Sequence, residues 1–157
     1  MIEKKISDKI CLLIGSVSGI GYLPVMPGTY ASLFSCIIAY FFINFLWIPY
    51  QIIFYTVLFC IGVLMSYRIE KVTGEEDPRL IVIDEYVGQG IALIMAERHL
   101  VLYIIGFLMF RIMDIGKPFP VNRLEKVKLG FGVMLDDVMA GIYAFIVVLV
   151  VRFFLLK

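Results

Sequence analysis

Long apolar segments dominate the chain, and the polar residues between them are gathered in a few places. Three segments approach the roughly 20 residues that a helix needs to cross a bilayer: Tyr30 to Ile48, Gln51 to Tyr67, and Val133 to Leu156. Only Pro49-Tyr50 separates the first two. We therefore predict that they form an antiparallel helical hairpin whose two outer ends lie on the same side of the membrane.

A fourth apolar stretch, Leu80 to Met113, is interrupted by the polar triplet Glu97-Arg98-His99. A single spanning helix from Tyr86 to Phe110 would place this triplet in the middle of the membrane, where strongly polar residues are costly. A turn at the triplet instead gives two shorter helices that enter and return, with all the acidic groups on one side. The pattern therefore favours a second, shorter helical hairpin.

Composition assigns the chain to the polytopic membrane proteins. Apolar residues make up 62% of it, against about 45–50% in soluble domains, and no charged residue occurs between Lys9 and Arg68. This excludes a soluble enzyme core and a disordered chain, and a net charge of +1 gives no attraction for nucleic acid. The predicted fold is all-α, a polytopic membrane helical bundle over residues 1–157 as a single domain, in which the N-terminus is retained.

The distribution of basic residues predicts the orientation of this bundle. With the second hairpin in place, 11 of the 14 lysines and arginines lie on the side that carries the acidic groups. Because positive residues mark the cytoplasmic side of a membrane protein, we expect the acidic side to face the cytoplasm.

Carboxylates are concentrated at the predicted helix ends. Asp84-Glu85 and Asp136-Asp137 are embedded in apolar stretches, where ionisable residues are functional by default. Asp77-Pro78 is typical of a helix start with Asp77 as the cap, and this would place Asp84 two turns later on the same face. Helix capping alone is the alternative role for Asp77.

Several carboxylates within a few ångströms of one another cannot all stay ionised unless a cation lies between them. A hard divalent ion such as Mg²⁺ suits oxygen ligands, whereas zinc is excluded because three dispersed cysteines and one histidine form no ligand cluster. Small residues about one turn from the acids, Gly88, Gly90 and Ala140-Gly141, would let two helices approach closely. The predicted metal ligands are Asp77, Asp84, Glu85, Asp114, Asp136 and Asp137.

Basic and backbone groups near these acids suit a phosphate. Arg111, Asp114 and Lys117 recur every three residues at a helix end, so an acid lies between two cations; anchoring in the headgroup region is the alternative role for the cations. Gly28 and Thr29 open the first spanning helix, where free N–H groups and a hydroxyl favour an anion. The predicted substrate-binding residues are Gly28, Thr29, Arg111 and Lys117.

Four motifs in this order resemble the bacterial phosphatidylglycerophosphatase A family, and the resemblance covers most of the chain. They lie in residues 19–29, 77–88, 110–120 and 130–141. Their most characteristic parts are Pro27-Gly28-Thr29, Val82-Ile83-Asp84-Glu85, Lys117-Pro118 and Leu135-Asp136-Asp137. The resemblance implies a Mg²⁺-dependent phosphatase of the bacterial inner membrane that converts phosphatidylglycerol phosphate to phosphatidylglycerol, a step of phospholipid biosynthesis.

The predicted catalytic residues are Asp84, Glu85, Asp136, Asp137 and Lys117. In this interpretation carboxylates hold Mg²⁺, Lys117 and Arg111 contact phosphoryl oxygens, and one acid acts as general base or as nucleophile. A histidine-dependent lipid phosphatase mechanism is excluded, because no histidine is placed for it.

Two other functions compete with this interpretation. A small transporter or ion-binding membrane subunit would use the acids as a cation site, but such sites usually lie near the bilayer midplane. A CDP-alcohol phosphotransferase would need an Asp-Gly-x-x-Ala-Arg core, which the sequence lacks.

Overall fold

The computed structural model describes residues 2–119, 121 and 130–155, with side chains from residue 7 onward. Within these residues the regular structure is helical and includes no strand. The α-helices are α1 (Ile2–Gly15), α2 (Pro27–Phe41), α3 (Ile48–Thr73), α4 (Ile83–Ala92), α5 (Leu100–Gly116) and α6 (Phe131–Leu155). The predicted all-α fold is confirmed.

In the part of the chain that the structure describes, three segments are long and apolar enough to cross a membrane: Pro27–Phe45, Ile48–Thr73 and Phe131–Leu155. They correspond to the three predicted spans with shifted ends. The largest shift is in α3, which continues past Tyr67 because the polar residues that follow, among them Glu70 and Lys71, are good helix formers. The helix stops where Gly74 adopts a left-handed conformation with φ 75°.

The second hairpin also forms where the polar triplet predicts it. Helix α4 ends at Ala92, α5 begins at Leu100, and Glu97 between them has a positive φ of 51°. At 1.5 Å per residue, α4 is about 15 Å long and too short to span a bilayer. A single helix from Tyr86 to Phe110 is therefore ruled out.

The predicted helix start at Asp77-Pro78 is wrong. Helix α4 begins five residues after Pro78, at Ile83, and Asp77 has a left-handed φ of 52° in a non-helical segment. The backbone N–H of Val82 donates a hydrogen bond to the Gly15 carbonyl at 3.0 Å, so this segment is tied to the end of α1. Asp77 and Asp84 therefore do not share a helix face.

Helix α4 is the central element of the bundle, and α2, α3 and α6 pack around it. Its crossing with α6 is very close: a Cβ on Gly88 would overlap the Asp137 backbone, and one on Gly141 would overlap the Gly88 carbonyl. The predicted role of small residues is thus observed at Gly88 and Gly141. Gly90 instead faces the ring of Tyr55 in α3.

The outer surfaces of the long helices are apolar, as lipid contact requires. Large side chains such as Ile53 of α3, Ile112 of α5 and Val150 of α6 are all more than half exposed. Buried polar side chains, by contrast, include Asp84, Asp136 and Asp137, which meet at one end of the bundle.

Candidate active site

A cavity of about 390 Å³ lies at the end of the bundle where α2, α4 and α6 begin and α5 ends. The segment before α4 completes its wall. All ten residues that the sequence singled out as site candidates line this cavity: Gly28, Thr29, Asp77, Asp84, Glu85, Arg111, Asp114, Lys117, Asp136 and Asp137.

Three carboxylates form the centre of the cavity. Oxygen atoms of Asp84, Glu85 and Asp137 lie within 4.8 Å of one another, close enough to share one metal ion. The α4–α6 crossing positions them, because Asp84 and Asp137 each lie one helical turn before the glycine at which the two backbones meet. Gly88 and Gly141 therefore bring the two aspartates face to face.

Glu85 reaches the beginning of α2. Its carboxylate lies against Gly28 so closely that a Cβ there would overlap the Glu85 Oε1 atom. A helix N-terminus carries partial positive charge, which favours a carboxylate placed next to it. The predicted anion site at Gly28 and Thr29 is thus in contact with the acidic cluster.

Lys117 and Asp136 form an ion pair beside the three central acids. Lys117 Nζ lies 3.1 Å from Asp136 Oδ2, and Asp136 Oδ1 accepts a hydrogen bond from the Asp137 backbone N–H at 3.0 Å. Lys117 directly follows α5 with a left-handed φ of 41°. The lysine therefore leaves the helix and pairs with Asp136 of α6, a partner that its three-residue spacing from Asp114 did not indicate.

Arg111 connects α5 to α2. Its Nη1 lies 2.8 Å from Asp114 Oδ2 and 3.4 Å from the Ser32 hydroxyl. The pairing of Arg111 with Asp114, which the three-residue spacing predicts, is observed. This pair and the Lys117–Asp136 pair both line the cavity.

The cavity carries more negative than positive side chains. Six carboxylates line it, and the basic residues among its described lining are Arg79, Arg111 and Lys117. Burial raises the pKa of the Asp84 carboxyl well above its usual range, and repulsion from the neighbouring Glu85 carboxylate adds to this rise. A divalent cation would relieve the repulsion and reverse the local sign of the charge.

The donor atoms fit a hard metal ion. All three central side chains offer oxygen, as Mg²⁺ prefers, and no histidine or cysteine is among the described residues that line the cavity. Glu85 Oε2 is buried with no hydrogen-bond partner among the described residues. Thr29 Oγ1 and Arg111 Nε are likewise buried without a hydrogen-bond partner there. An unpaired buried carboxylate oxygen is costly, and a bound cation would remove that cost.

Arg79 and Ser32 belong to the cavity region but were not predicted as site residues. Arg79 lines the cavity while its Nη2 donates to the Pro24 carbonyl at 2.8 Å. Its position directly after Asp77-Pro78 is the sequence feature that could have identified Arg79 as a cavity residue. Ser32, one turn after Thr29 on α2, accepts the hydrogen bond from Arg111.

The fold and the cavity define the class of the protein: a polytopic helical membrane protein with an acidic site at one end of its bundle. The family model of phosphatidylglycerophosphatase A matches residues 13–152, and the chain belongs to this family. It is therefore a phosphatase, and the transporter alternative is not supported.

Curated relatives agree with this assignment. The chain is 36% identical to phosphatidylglycerophosphatase A of Haemophilus influenzae, over 88% of this chain and 86% of the relative. It is 35% identical to phosphatidylglycerophosphatase A of Escherichia coli, over 79% of this chain and 73% of the relative. It is also 39% identical to a Bacteroides thetaiotaomicron protein named "Putative phosphatidylinositol-3-phosphatase", over 90% of this chain and 92% of that protein. No solved structure matches the chain significantly.

Proposed function

We propose that the protein hydrolyses phosphatidylglycerol phosphate to phosphatidylglycerol and inorganic phosphate in a Mg²⁺-dependent reaction. The observation that carries this proposal is the buried acidic cluster of Asp84, Glu85 and Asp137, which shares one cavity with the cations Arg111 and Lys117. Family membership supports the lipid phosphomonoester substrate.

In this proposal Asp84, Glu85 and Asp137 hold Mg²⁺, and Asp77, Asp114 and Asp136 surround them. When bound, the ion supplies charge neutralisation for the phosphoryl group and favours ionisation of water. The acids contribute oxygen ligands, and the α4–α6 crossing fixes their separation.

The phosphate is bound by groups of opposite charge on the cavity wall. Lys117 and Arg111 contact phosphoryl oxygens, and the α2 terminus at Gly28, together with the Thr29 hydroxyl, donates hydrogen bonds to them. Hydrolysis breaks the bond between phosphorus and the ester oxygen, a water oxygen adds to phosphorus, and the leaving alkoxide takes a proton. One cavity carboxylate either accepts the proton of the attacking water and passes it to the alkoxide, or attacks phosphorus itself to form an acyl phosphate, whose hydrolysis by water then releases phosphate and supplies the proton.

Phosphatidylinositol 3-phosphate is a second candidate substrate, because one relative of this chain carries that activity in its name. Purified protein in mixed micelles, with excess Mg²⁺, should be given each lipid at equal surface concentration while phosphate release is measured. We expect a higher kcat/KM for phosphatidylglycerol phosphate. A higher value for the inositol lipid would reverse the substrate assignment, and release from neither lipid would overturn the proposed function.

We also propose that the protein lies in the bacterial inner membrane with the cavity facing the cytoplasm. The bias of basic residues supports this, since Arg98 and Arg152 are the described cations at the opposite end. Cysteines introduced at positions 75 and 98 should be labelled by an impermeant reagent from opposite sides, with position 75 accessible from the cytoplasm. Labelling of position 75 from outside would contradict the orientation.

A further inference from the structure

An apolar groove of about 450 Å³ runs along the outer surface between α2 and α5. Leu33 and Ile37 form part of one wall, and Ile104 and Phe107 form part of the other. Leu33, Ile37 and Ile104 are each about half exposed, at 48%, 47% and 52%. The groove is therefore open to the side, where lipid surrounds a membrane protein.

The groove and the candidate active site lie about one helical turn apart on the same two helices. On α2, Thr29 of the cavity is followed at four-residue intervals by Leu33, Ile37 and Phe41 of the groove. Residues four apart lie on the same helix face, so one stripe leads from the cavity into the groove.

A matching stripe on α5 runs in the opposite chain direction. Arg111 of the cavity is preceded at four-residue intervals by Phe107 and Tyr103 of the groove. The contact between Arg111 Nη1 and Ser32 Oγ at 3.4 Å joins the two helices at the boundary between cavity and groove. Polar contacts on one side of this boundary thus give way to apolar walls on the other.

An aromatic contact between the two helices lines the groove farther from the cavity. The rings of Tyr40 and Tyr103 meet edge to face with centroids 5.3 Å apart. Asn44 Nδ2 donates a hydrogen bond to the Tyr103 hydroxyl at 2.6 Å, which fixes that ring. From Leu33 to Phe41 the groove extends about 12 Å along α2, most of the roughly 15 Å of one hydrocarbon leaflet.

We propose that this groove binds one acyl chain of the lipid phosphate substrate while the phosphate occupies the cavity. The inference rests on the proposed function and deepens it. A lipid whose phosphate enters the cavity must place its chains nearby, and on both α2 and α5 the groove begins about one helical turn from the cavity.

Blocking the groove with a bulky side chain tests this directly. Ile104→Trp would obstruct it about 10 Å from Arg111 along α5. Ile146→Trp on α6 is the matched control, because Ile146 is 51% exposed and does not line the groove. Ile37→Trp provides a second obstruction from the opposite wall.

Kinetics should be measured on long-chain and dihexanoyl forms of the lipid phosphate that the wild-type protein hydrolyses. We expect Ile104→Trp to raise KM for the long-chain substrate roughly fivefold through lost methylene contacts, with kcat and dihexanoyl kinetics little changed. Equal KM values for Ile104→Trp and Ile146→Trp would overturn the proposal, as would an equal loss on both chain lengths.

A second measurement does not depend on turnover. Phosphatidylglycerol phosphate with a photoactivatable acyl chain should label the groove residues of α2 and α5, and unlabelled lipid phosphate should compete whereas phosphatidylcholine should not. Labelling spread evenly over α3 and α6, or insensitive to lipid phosphate, would contradict an acyl-chain site even if phosphate release is normal. Absence of phosphate release with specific groove labelling would instead count against the proposed function alone.

Discussion

The two ends of the helix bundle carry their charges differently. At the cavity end, six carboxylates face three basic side chains among the described residues. At the opposite end Glu97 forms an ion pair with Arg152, and the Arg98 guanidinium lies over the rings of Tyr40 and Phe45, at 5.1 and 4.6 Å. Each of these charges therefore has a counter-charge or an aromatic face within the protein.

This difference separates a structural use of charge from a chemical one. A balanced ion pair at a membrane interface needs nothing from outside the chain. Buried carboxylates in excess cannot all stay ionised unless a cation lies between them, and a negatively charged cavity would also repel a phosphate. The acid excess is therefore the feature that we connect with metal binding and phosphate release.

Removal of a central carboxylate should have the largest effect. Asp84→Asn and Asp137→Asn each delete one anionic ligand at nearly constant size, and we expect phosphate release to fall roughly a thousandfold or more, because the metal supplies several kcal/mol of barrier lowering. Membrane insertion should be unchanged. Glu75→Gln, at an exposed position, should remain within about twofold of wild type. Full activity in either aspartate variant would remove that residue from the ligand set.

A substitution at Gly28 that displaces Glu85 without replacing it should have the next largest effect. A Cβ in Gly28→Ala would overlap the Glu85 carboxylate, and a displacement of about 1 Å in a catalytic group can cost roughly a hundredfold in rate. Gly116→Ala is the matched control, because nothing lies within 4 Å of its added Cβ. Similar phosphate release from both variants would show that the position of Glu85 is unimportant.

Lys117→Arg should cause a smaller loss. The guanidinium keeps the charge but is wider and planar, so it fits poorly beside Asp136 and a phosphoryl group. We expect a decrease of roughly tenfold, about 1.4 kcal/mol in barrier, with a larger decrease for Lys117→Met. Lys71→Arg makes the same change at an exposed position and should be neutral. Equal tolerance of the two arginine variants would identify Lys117 as a membrane anchor.

The smallest effect is expected at the opposite end of the bundle. Glu97→Gln breaks the ion pair with Arg152. The Glu97 side chain is 58% exposed and the Arg152 side chain 31% exposed. Such pairs contribute roughly 0–1 kcal/mol, so a thermal unfolding scan should show only a small decrease in Tm. Phosphate release should be unchanged. A loss of activity comparable to that of Lys117→Arg would contradict the contrast between the two ends.

The sequence predicts the overall fold well because the bilayer imposes a simple length and polarity requirement. The three spans follow from uninterrupted apolar segments, and the turn near Glu97 follows from three adjacent polar residues that are costly in mid-membrane. The start of α4 could not be predicted in the same way. Asp77-Pro78 is compatible with a helix start or a turn, and the hydrogen bond from Val82 to Gly15 that accompanies the turn is a tertiary contact.

The sequence was enough to predict which residues line the cavity, but not which of them form ion pairs with one another. Acids embedded in apolar stretches are rare enough to identify Asp84 and Asp137 individually. Spacing on one helix suggested that Lys117 belongs with Asp114, whereas the end of α5 at Gly116 turns the lysine toward Asp136. Partners on different helices depend on how the bundle packs, and local periodicity carries no information about that.

Direct measurement of cation binding tests the central claim that the acid excess is a metal site. Protein stripped with a chelator should be titrated with Mn²⁺ and followed by electron paramagnetic resonance, in the wild type and in Asp137→Asn. We predict saturable binding to the wild type over the concentrations that restore phosphate release, competition by Mg²⁺, and loss of this binding in the variant. Full phosphate release in the presence of chelator, with no bound Mn²⁺ in the wild type, would contradict the account.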